Sequence, residues 1–384
     1  MTAAFIHRTT ATRVMFGTGA LDDLAPELVA LGITRPMVLC GRRTAASALF
    51  AQVRGLLAGW PCVTFEAVPE HSSVDVVEAL AEQARNEQVD GFLAIGGGSV
   101  SDTAKAVALL LAEGGRLHQH ASRFVPPDRL VVPELARPKL PIASVPCTAS
   151  AAEVTPSLGV RAANGSKLLF SDPKLASRLI IIDPLANLCV PIGLMLASGM
   201  NGLAHCIEGI YSRTRTPISD ALALRGIALF FAALPAAAAR PDDAQCRGDL
   251  LVAAHLSGQV LINARTCLHH AICHALGAGT GISHGDANAV MLPEVVRFNS
   301  PDAAGELAQA AHAAGIAGGA RGLEDRLRAL QAELQVPTRL RELGVRHEAL
   351  DDVAAHVMQE RGLFFNPRRV TDVGEVRALL EATW

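Results

Sequence analysis

The sequence predicts an α/β amino-terminal domain with a parallel sheet, followed by an all-α carboxy-terminal domain. Its 384 residues exceed the roughly 250 to 300 at which one hydrophobic core stops growing, which favours two domains. Up to Asp183, short apolar runs alternate with amphipathic helical patterns, as in a parallel sheet covered by helices on both faces. Beyond Pro184, the spacing of apolar residues is helical almost throughout. We therefore predict domains at residues 1–184 and 185–384.

The elements of the first domain follow from short, mostly apolar runs. These runs predict buried strands at residues 36–40, 89–95, 140–145 and 179–182. Apolar residues recur at helical spacing over residues 74–88 and predict a helix there. Residues 114–138 are rich in Pro, Arg and His, break the alternation, and predict an irregular loop.

Composition excludes several classes of function. A net charge of -3 without a long basic run gives no footprint for nucleic acid or for an anionic membrane. Residues 1–13 lack the apolar stretch of a signal peptide, and no segment runs about 18 apolar residues without interruption. The eight cysteines form no CxxC pair, which indicates reduced thiols. We expect a cytoplasmic protein whose partner is a small molecule.

A glycine triplet is the strongest sign of a phosphate-containing ligand. Gly96, Gly97 and Gly98 end a predicted strand, and Ser99 opens a helix. Bare backbone N–H groups and the positive end of a helix can then meet a pyrophosphate, so we interpret the first domain as dinucleotide-binding. The triplet matches neither GxGxxG nor GxxxxGK[ST], and a glycine-rich turn without a ligand stays an alternative.

The turn after the second predicted strand bears on which dinucleotide binds. Gly41 is followed there by Arg42 and Arg43. Many nucleotide folds place an acid at this point to bind the adenosine ribose, whereas glycine and arginine leave room and charge for a 2′-phosphate. The sequence therefore favours NADP(H) over NAD(H), with a solvated basic turn as the alternative.

Four histidines and one asparagine in the second half can converge on one point. Asn201 and His205 are four residues apart on one helical face, as are His270 and His274, and His284 follows a glycine-rich turn. This is a pattern that could bind a metal ion. A neutral amide, however, is a much poorer ligand for a transition metal than a carboxylate. Whether the protein depends on a metal is therefore decided by Asn201. Without a metal, the histidines would supply the hydrogen-bond and proton donors.

These motifs resemble the iron-containing alcohol dehydrogenase superfamily. The resemblance rests on GGGSxxDxAK at residues 96–105, GMNxxxHxxE at 199–208 and HxxxHxLG…HG at 270–285, and it extends from residues 13–17 to 366–368. It implies a dinucleotide domain, a helical domain, an active site in the cleft between them, and often a homodimer.

The resemblance also implies roles for individual residues. Metal-dependent members bind iron or zinc at positions that match Asn201, His205, His270 and His284, while His274 matches a residue beside the site and Lys167 one that faces the cleft. We expect His274 to be the proton donor or relay, Lys167 to attract an anionic substrate, and Glu208 to orient an imidazole. The predicted cofactor-binding residues are Gly41, Gly96, Gly97, Gly98, Ser99, Asp102, Cys147 and Thr148.

Two branches of that superfamily compete. Asn201 in the sequence SGMN and the short loop at residues 147–153 resemble the maleylacetate reductases, which are generally regarded as metal-independent. Asp102 and the long 114–138 segment are typical of the alcohol dehydrogenases. The leading hypothesis is therefore an NAD(P)H-dependent reductase of a maleylacetate-like oxo acid. The alternatives are an iron- or zinc-dependent alcohol dehydrogenase and a catalytically silent dinucleotide-binding protein. A lyase of the dehydroquinate synthase kind ranks lower, because a rich set of basic substrate-binding residues is not apparent.

Overall fold

A six-stranded parallel sheet organises the first half of the chain. The computed structural model describes residues 4–125, 129–163 and 165–384. In the sheet, the strand order is β1-β10-β7-β4-β2-β3, and two antiparallel hairpins, β5–β6 and β8–β9, lie outside it. The strands are β1 Arg13–Phe16, β2 Pro36–Cys40, β3 Val63–Phe65, β4 Gly91–Gly96, β5 Arg123–Val125, β6 Arg129–Val131, β7 Ile142–Pro146, β8 Ser157–Arg161, β9 Lys167–Ser171 and β10 Leu179–Ile182.

The central strands are apolar along their whole length because helices cover both faces of the sheet. All residues of β2, β7 and β10 are buried, and so are all of β4 except its last glycine. Strands of this kind read as continuous hydrophobic runs. The four predicted strands and the helix predicted at residues 74–88 are accordingly confirmed, with ends that differ by one or two residues.

The irregular loop predicted at residues 114–138 was wrong in part. This segment contains a 3₁₀ helix at Leu117–His120 and the hairpin β5–β6, while its residues 126–128 lie outside the described residues. Strands of three residues are too short to produce a detectable alternation of apolar and polar side chains, so sequence periodicity missed them.

The second half of the described chain is helical, which confirms the predicted fold class. The helices of the whole chain are α1 Leu24–Ala30, α2 Arg42–Ala45, α3 Ala48–Leu56, α4 Val74–Asn86, α5 Gly98–Glu113, α6 Pro184–Asn187, α7 Ile192–Tyr211, α8 Pro217–Ala239, α9 Ala244–Ala264, α10 Leu268–Thr280, α11 His284–Asn299, α12 Ala304–Ala313, α13 Gly319–Leu334, α14 Ala349–Val357, α15 Gly362–Phe365 and α16 Val373–Thr383. The boundary at residue 184 stays a prediction, and one hydrophobic cluster joins Ile180 of β10 to Leu250 of α9.

Helix α7 lies at the centre of the helical half. It packs against α8, α9 and α11, and almost all of its residues beyond the first turn are buried. Glycines permit this close packing. A Cβ on Gly202 would lie 2.4 Å from the ring of Phe230, and one on Gly199 would lie 2.6 Å from Leu234. Because both distances are too short for a real contact, these positions accept only glycine without a shift of the neighbouring helix.

Helix α8 is long and apolar enough to cross a membrane by length and composition alone. It packs against α7 and α9, with Phe230 and Leu234 fully buried in the core. Central helices of globular proteins meet the same criteria, so this finding is weak evidence for a membrane span.

Candidate active site

A cleft of about 1660 Å³ lies between the carboxyl ends of the central strands and the helical half. The last residue of β4, Gly96, pairs with the last residue of β7, Pro146, so the loops that follow both strands meet at the same edge. Ligands of open α/β sheets bind at this edge. Across the cleft, its lining comes from α7, α10 and the start of α11.

The glycine triplet forms a tight backbone cradle in this cleft. A Cβ on Gly97 would lie 2.9 Å from the side chain of Thr148, so only glycine leaves the space open. Helix α5 begins at Gly98 and has no side-chain cap, which leaves first-turn N–H groups free for an anion. The cradle therefore fits a pyrophosphate.

The other predicted cofactor residues differ in position. Ser99 and Asp102 line the cleft, but each is also bonded to the protein: the Ser99 hydroxyl accepts from the N–H of His71 at 3.1 Å, and Asp102 Oδ2 accepts from the N–H of Gly159 at 3.1 Å. Burial raises the pKa of the Asp102 carboxyl. Cys147 does not line the cleft in the described structure. Its buried thiol faces the carbonyl of Val145, so any contribution to cofactor binding is indirect.

The basic turn predicted to select the dinucleotide lies at one end of the cleft. Gly41, Arg42 and Arg43 line it, and both arginines are exposed at the start of the four-residue helix α2. Their positions allow contact with the adenosine end of a dinucleotide whose pyrophosphate rests on Gly97 and Gly98.

The predicted histidine cluster is assembled from three helices. The rings of His205 and His270 stack with centroids 4.7 Å apart, those of His270 and His284 are 5.7 Å apart, and those of His274 and His284 stack at 5.5 Å. Helix α11, which begins at His284, can approach α7 because Gly285 has no side chain: a Cβ there would lie 2.9 Å from Ala197. All four histidines and Asn201 line the same cleft.

Burial makes three of these histidines poor proton carriers. It lowers the pKa of His205, His270 and His284 well below the usual value, and the charge of neighbouring histidines lowers each further. They are therefore neutral at pH 7 and act as hydrogen-bonding groups.

Glu208 holds His270, as expected for a residue that orients an imidazole. Its Oε2 lies 2.5 Å from His270 Nδ1, and its Oε1 accepts the N–H of His269 at 2.8 Å. Burial raises the pKa of Glu208, while that of His270 is lowered. Both directions favour a neutral pair, with one proton in the hydrogen bond between Glu208 Oε2 and His270 Nδ1.

Comparison with known proteins gives the family. Residues 11–184 match the family model for iron-containing alcohol dehydrogenase, and residues 195–384 match the model for the Fe-containing alcohol dehydrogenase family, C-terminal. The chain belongs to the iron-containing alcohol dehydrogenase family. It is an NAD(P)-dependent oxidoreductase.

Relatives from both branches of this dehydrogenase family are similar to the chain. Maleylacetate reductase of Burkholderia cepacia is 32% identical over 98% of this chain and 97% of its own length. The crystal structure of maleylacetate reductase from Rhizobium sp. strain MTP-10005 has a TM-score of 0.83 at 29% identity and covers 99% of this chain and 98% of that one. An iron-containing alcohol dehydrogenase from Corynebacterium glutamicum has a TM-score of 0.84 at 28% identity, with coverage of 100% and 97%.

The residues at the predicted metal position lack the carboxylate that favours a tightly held iron ion. His270 Nε2 lies 3.1 Å from Asn201 Oδ1, so the imidazole meets a neutral amide where a carboxylate would favour a metal ion. The remaining ligands are neutral, so no anionic group balances a divalent charge. Within the described residues, the group with metal-ligand proximity is instead Glu208, His269 and His270, whose donor atoms already bond to the protein.

His274 differs from the other three histidines in its neighbour. It is partly buried, and its Nδ1 lies 3.5 Å from Glu360 Oε2. Burial raises the pKa of Glu360, but the hydrogen bond from His274 and the charges of His274, His356 and Arg361 outweigh this effect and lower it. Sequence reasoning missed Glu360, because it lies 86 positions along the chain from His274 in no recognised motif.

The dehydrogenase cleft also contains basic residues that sequence analysis did not find apparent. Lys167 faces the cleft as expected and is the strand partner of Arg161 in the hairpin β8–β9. The stem of Lys167 lies over Gly159, where a Cβ would be 2.1 Å from Lys167 Cε. The further basic side chains that line the cleft are Arg8, Arg265 and Arg361. These basic residues come from segments far apart in the sequence, so no local pattern reveals that they line one cleft.

Proposed function

We propose that this enzyme uses NADPH to reduce a maleylacetate-like oxo acid without a tightly bound metal. The observation that carries the proposal is Asn201, a neutral amide that lies 3.1 Å from His270 Nε2 and leaves the predicted metal position without a carboxylate. Maleylacetate reductases are also among the relatives that match the chain over nearly its full length.

The dinucleotide, when bound, supplies the hydride. In this proposal Gly96, Gly97, Gly98 and Ser99 hold its pyrophosphate, with Gly41, Asp102 and Thr148 around it and Cys147 supporting the loop from beneath. Hydride addition to a conjugated oxo acid builds negative charge on the carbonyl oxygen, which needs hydrogen-bond or proton donors nearby.

The histidine cluster would meet that need. We assign His274 as the proton donor or relay, because Glu360 stands behind its Nδ1 and the cleft lies in front. The neutral imidazoles of His205 and His284 would donate hydrogen bonds, and Lys167 would attract the substrate carboxylate. His270, whose two ring nitrogens contact Glu208 and Asn201, would hold the cluster in place. The three pKa values lowered by burial support this division of roles.

The test is NADPH consumption by exhaustively chelated enzyme offered maleylacetate. We expect turnover that added iron or zinc changes little. If turnover vanishes on chelation and returns with either metal, the enzyme is a metal-dependent alcohol dehydrogenase, the alternative that Asp102 favours. Binding of NADPH without turnover of any carbonyl compound would identify a silent dinucleotide-binding protein.

The preference for NADPH over NADH rests on Arg42 and Arg43. Replacing both with glutamine should lower kcat/KM for NADPH by about 10-fold or more, because charged hydrogen bonds to a phosphate are lost, and should leave NADH almost unchanged. Arg54→Gln, an exposed arginine of α3 outside the cleft lining, is the matched control. An equal loss of kcat/KM with NADPH and NADH would contradict the proposed preference for NADPH.

We also propose that the enzyme is a cytoplasmic homodimer that binds neither nucleic acid nor membranes. The dimer is supported by the family resemblance and by β1, an edge strand with Val14 and Phe16 exposed. Light scattering on the purified enzyme tests the dimer, and a monomeric mass would refute it.

A further inference from the structure

Two arginines line the cleft without a carboxylate in hydrogen-bond contact. Arg265 and Arg361 both line it, and within the described residues neither side chain makes an ion pair or a hydrogen bond. Other arginines of the helical half are paired, as in Arg215–Asp220, Arg328–Glu324 and Arg377–Asp351. A partly buried guanidinium that lacks a carboxylate is costly, because part of its hydration is lost without replacement.

The backbone holds Arg265 in an unusual conformation. Its φ is 66°, at the C-cap position just after Ala264, the last residue of α9, and glycine is the residue that adopts positive φ most readily. A positive φ strains a residue that has a side chain, and such strain is concentrated at functional sites. Arg265 in this conformation lines the cleft.

A close backbone contact brings Arg361 to the same region. Gly362 packs against the carbonyl of Cys267, which is two residues beyond Arg265: a Cβ on Gly362 would lie 2.5 Å from that oxygen. The segment that carries Arg361 therefore rests on the segment that carries Arg265. Glu360, which faces His274, directly precedes Arg361, so this basic pair adjoins the proposed proton donor.

The two charges also repel each other. Burial lowers the pKa of both arginines; the charge of Arg8 lowers that of Arg265 further, and the charge of Arg265 lowers that of Arg361. Guanidinium groups stay protonated in proteins, and the attraction of Arg361 to Glu360 comes from a carboxylate that already faces His274. An anion bound between the two arginines would therefore relieve their repulsion. A carboxylate is the natural ligand, because it accepts paired hydrogen bonds from guanidinium groups.

We propose that Arg265 and Arg361 bind the second carboxylate of a dicarboxylic oxo acid, the one on the acetate arm of maleylacetate. This inference rests on the proposed function and extends it, because it assigns the residues that distinguish a dicarboxylic substrate from a monocarboxylic one. Lys167, which belongs to the hairpin of the first half, is left for the carboxylate next to the double bond.

The experiment compares two substrates and two variants. cis-Acetylacrylate has the conjugated oxo acid of maleylacetate but ends in a methyl group where maleylacetate has the acetate-arm carboxylate. Arg265→Gln and Arg361→Gln should each lower kcat/KM for maleylacetate by roughly 10- to 100-fold, mainly through KM, and change that for acetylacrylate by less than about threefold. Arg361→Lys should recover part of the loss. Arg321→Gln, on the exposed face of α13, is the control and should change neither substrate.

A binding measurement separates this inference from the proposed function. Calorimetric titration of NADP⁺-loaded enzyme with adipate, a six-carbon dicarboxylate, should give a Kd that rises at least tenfold in both glutamine variants. If the wild type binds adipate through these arginines but does not reduce maleylacetate, the function fails and the carboxylate site stands. Three results would overturn the proposed carboxylate site. One is an equal loss of kcat/KM for maleylacetate and acetylacrylate in the glutamine variants. The others are adipate binding that is unchanged in these variants, and no adipate binding by the wild type. Circular dichroism and NADPH binding verify that the variants fold.

Discussion

The two walls of the cleft are built in opposite ways. The sheet wall is a surface of bare backbone, in which Gly97 and Gly98 leave space and free N–H groups. The helical wall is a layer of polar side chains, with His270 held between Glu208 and Asn201. The first is vulnerable to added atoms, and the second to the removal of a partner. A single cleft can thus combine a steric cradle for a ligand with a buried network for chemistry.

The largest effect is expected from filling the cradle. Gly97→Val would press two methyl groups toward Thr148, which already lies 2.9 Å from the position of a Cβ. Overpacking costs about 1–3 kcal/mol and each 1.4 kcal/mol is about tenfold in affinity, so we expect NADPH affinity, measured by fluorescence titration, to fall by about 100-fold. Gly55→Val is the control, because a Cβ at Gly55 has nothing within 4 Å. Normal NADPH binding by Gly97→Val would show that the cradle is not the cofactor site.

The helical wall should respond instead to loss of a partner. Glu208→Ala removes the group that holds His270 Nδ1 and the N–H of His269, and we expect kcat to fall by roughly 10- to 100-fold. Glu208→Gln can make the same hydrogen bonds as a protonated carboxyl, so it should stay within about threefold of the wild type.

The glutamine variant tests the charge state of the pair. If Glu208→Gln loses as much kcat as Glu208→Ala, Glu208 works as a carboxylate and the prediction of a neutral pair is wrong. Glu324→Gln, a buried glutamate of α13 that pairs with Arg328, controls for a general effect of removing a buried acid.

The stability of the sheet wall should also depend on a buried ionisable group. Lys105 is fully buried beneath the cradle and donates to the carbonyls of Ala152 and Ser157, while burial raises the pKa of neighbouring Glu153 to about 7. Because the folded state then holds the proton more tightly than the unfolded state, the resulting stability is present below about pH 4.5 and is lost as the pH rises through 7.

The measurement is urea unfolding at pH 5 and pH 8. For the wild type, this one group should lower the free energy of unfolding by about 1–3 kcal/mol between these pH values. The glutamine of Glu153→Gln cannot ionise. The free energy of unfolding of this variant should therefore fall less between pH 5 and pH 8, and the difference from the wild type should equal the contribution of Glu153. An identical pH dependence in both proteins would show that Glu153 titrates normally.

The smallest effect concerns the metal position. Asn201→Asp supplies the charged oxygen that the site lacks, and we expect Zn²⁺ affinity to rise roughly tenfold in a calorimetric titration. Unchanged affinity would mean that the helical wall is not arranged for a metal even with the right ligand, which would weaken the match between these residues and the family's metal ligands.

Sequence alone predicted much of both walls, but unequally. The glycine triplet after a strand, Gly41 before two arginines, and the helical spacing of His270 and His274 are local patterns, so their placement could be read directly. Cys147 marks the limit of local reasoning: it lies in the right loop, but its side chain turns away from the cleft because the thiol is buried against Val145. Residue spacing does not determine which way a loop side chain points.

The sequence by itself determined the fold class, the family and the segments that face the cleft, because periodicity and motifs are properties of neighbouring residues. Only the tertiary structure decided that Asn201 meets His270, that Glu360 stands behind His274, and that Arg265 and Arg361 share one region. These contacts join residues between 69 and 96 positions apart, and they depend on how closely helices pack at Gly285 and Gly362. Close packing arises from the shape of the whole core, which no local pattern encodes.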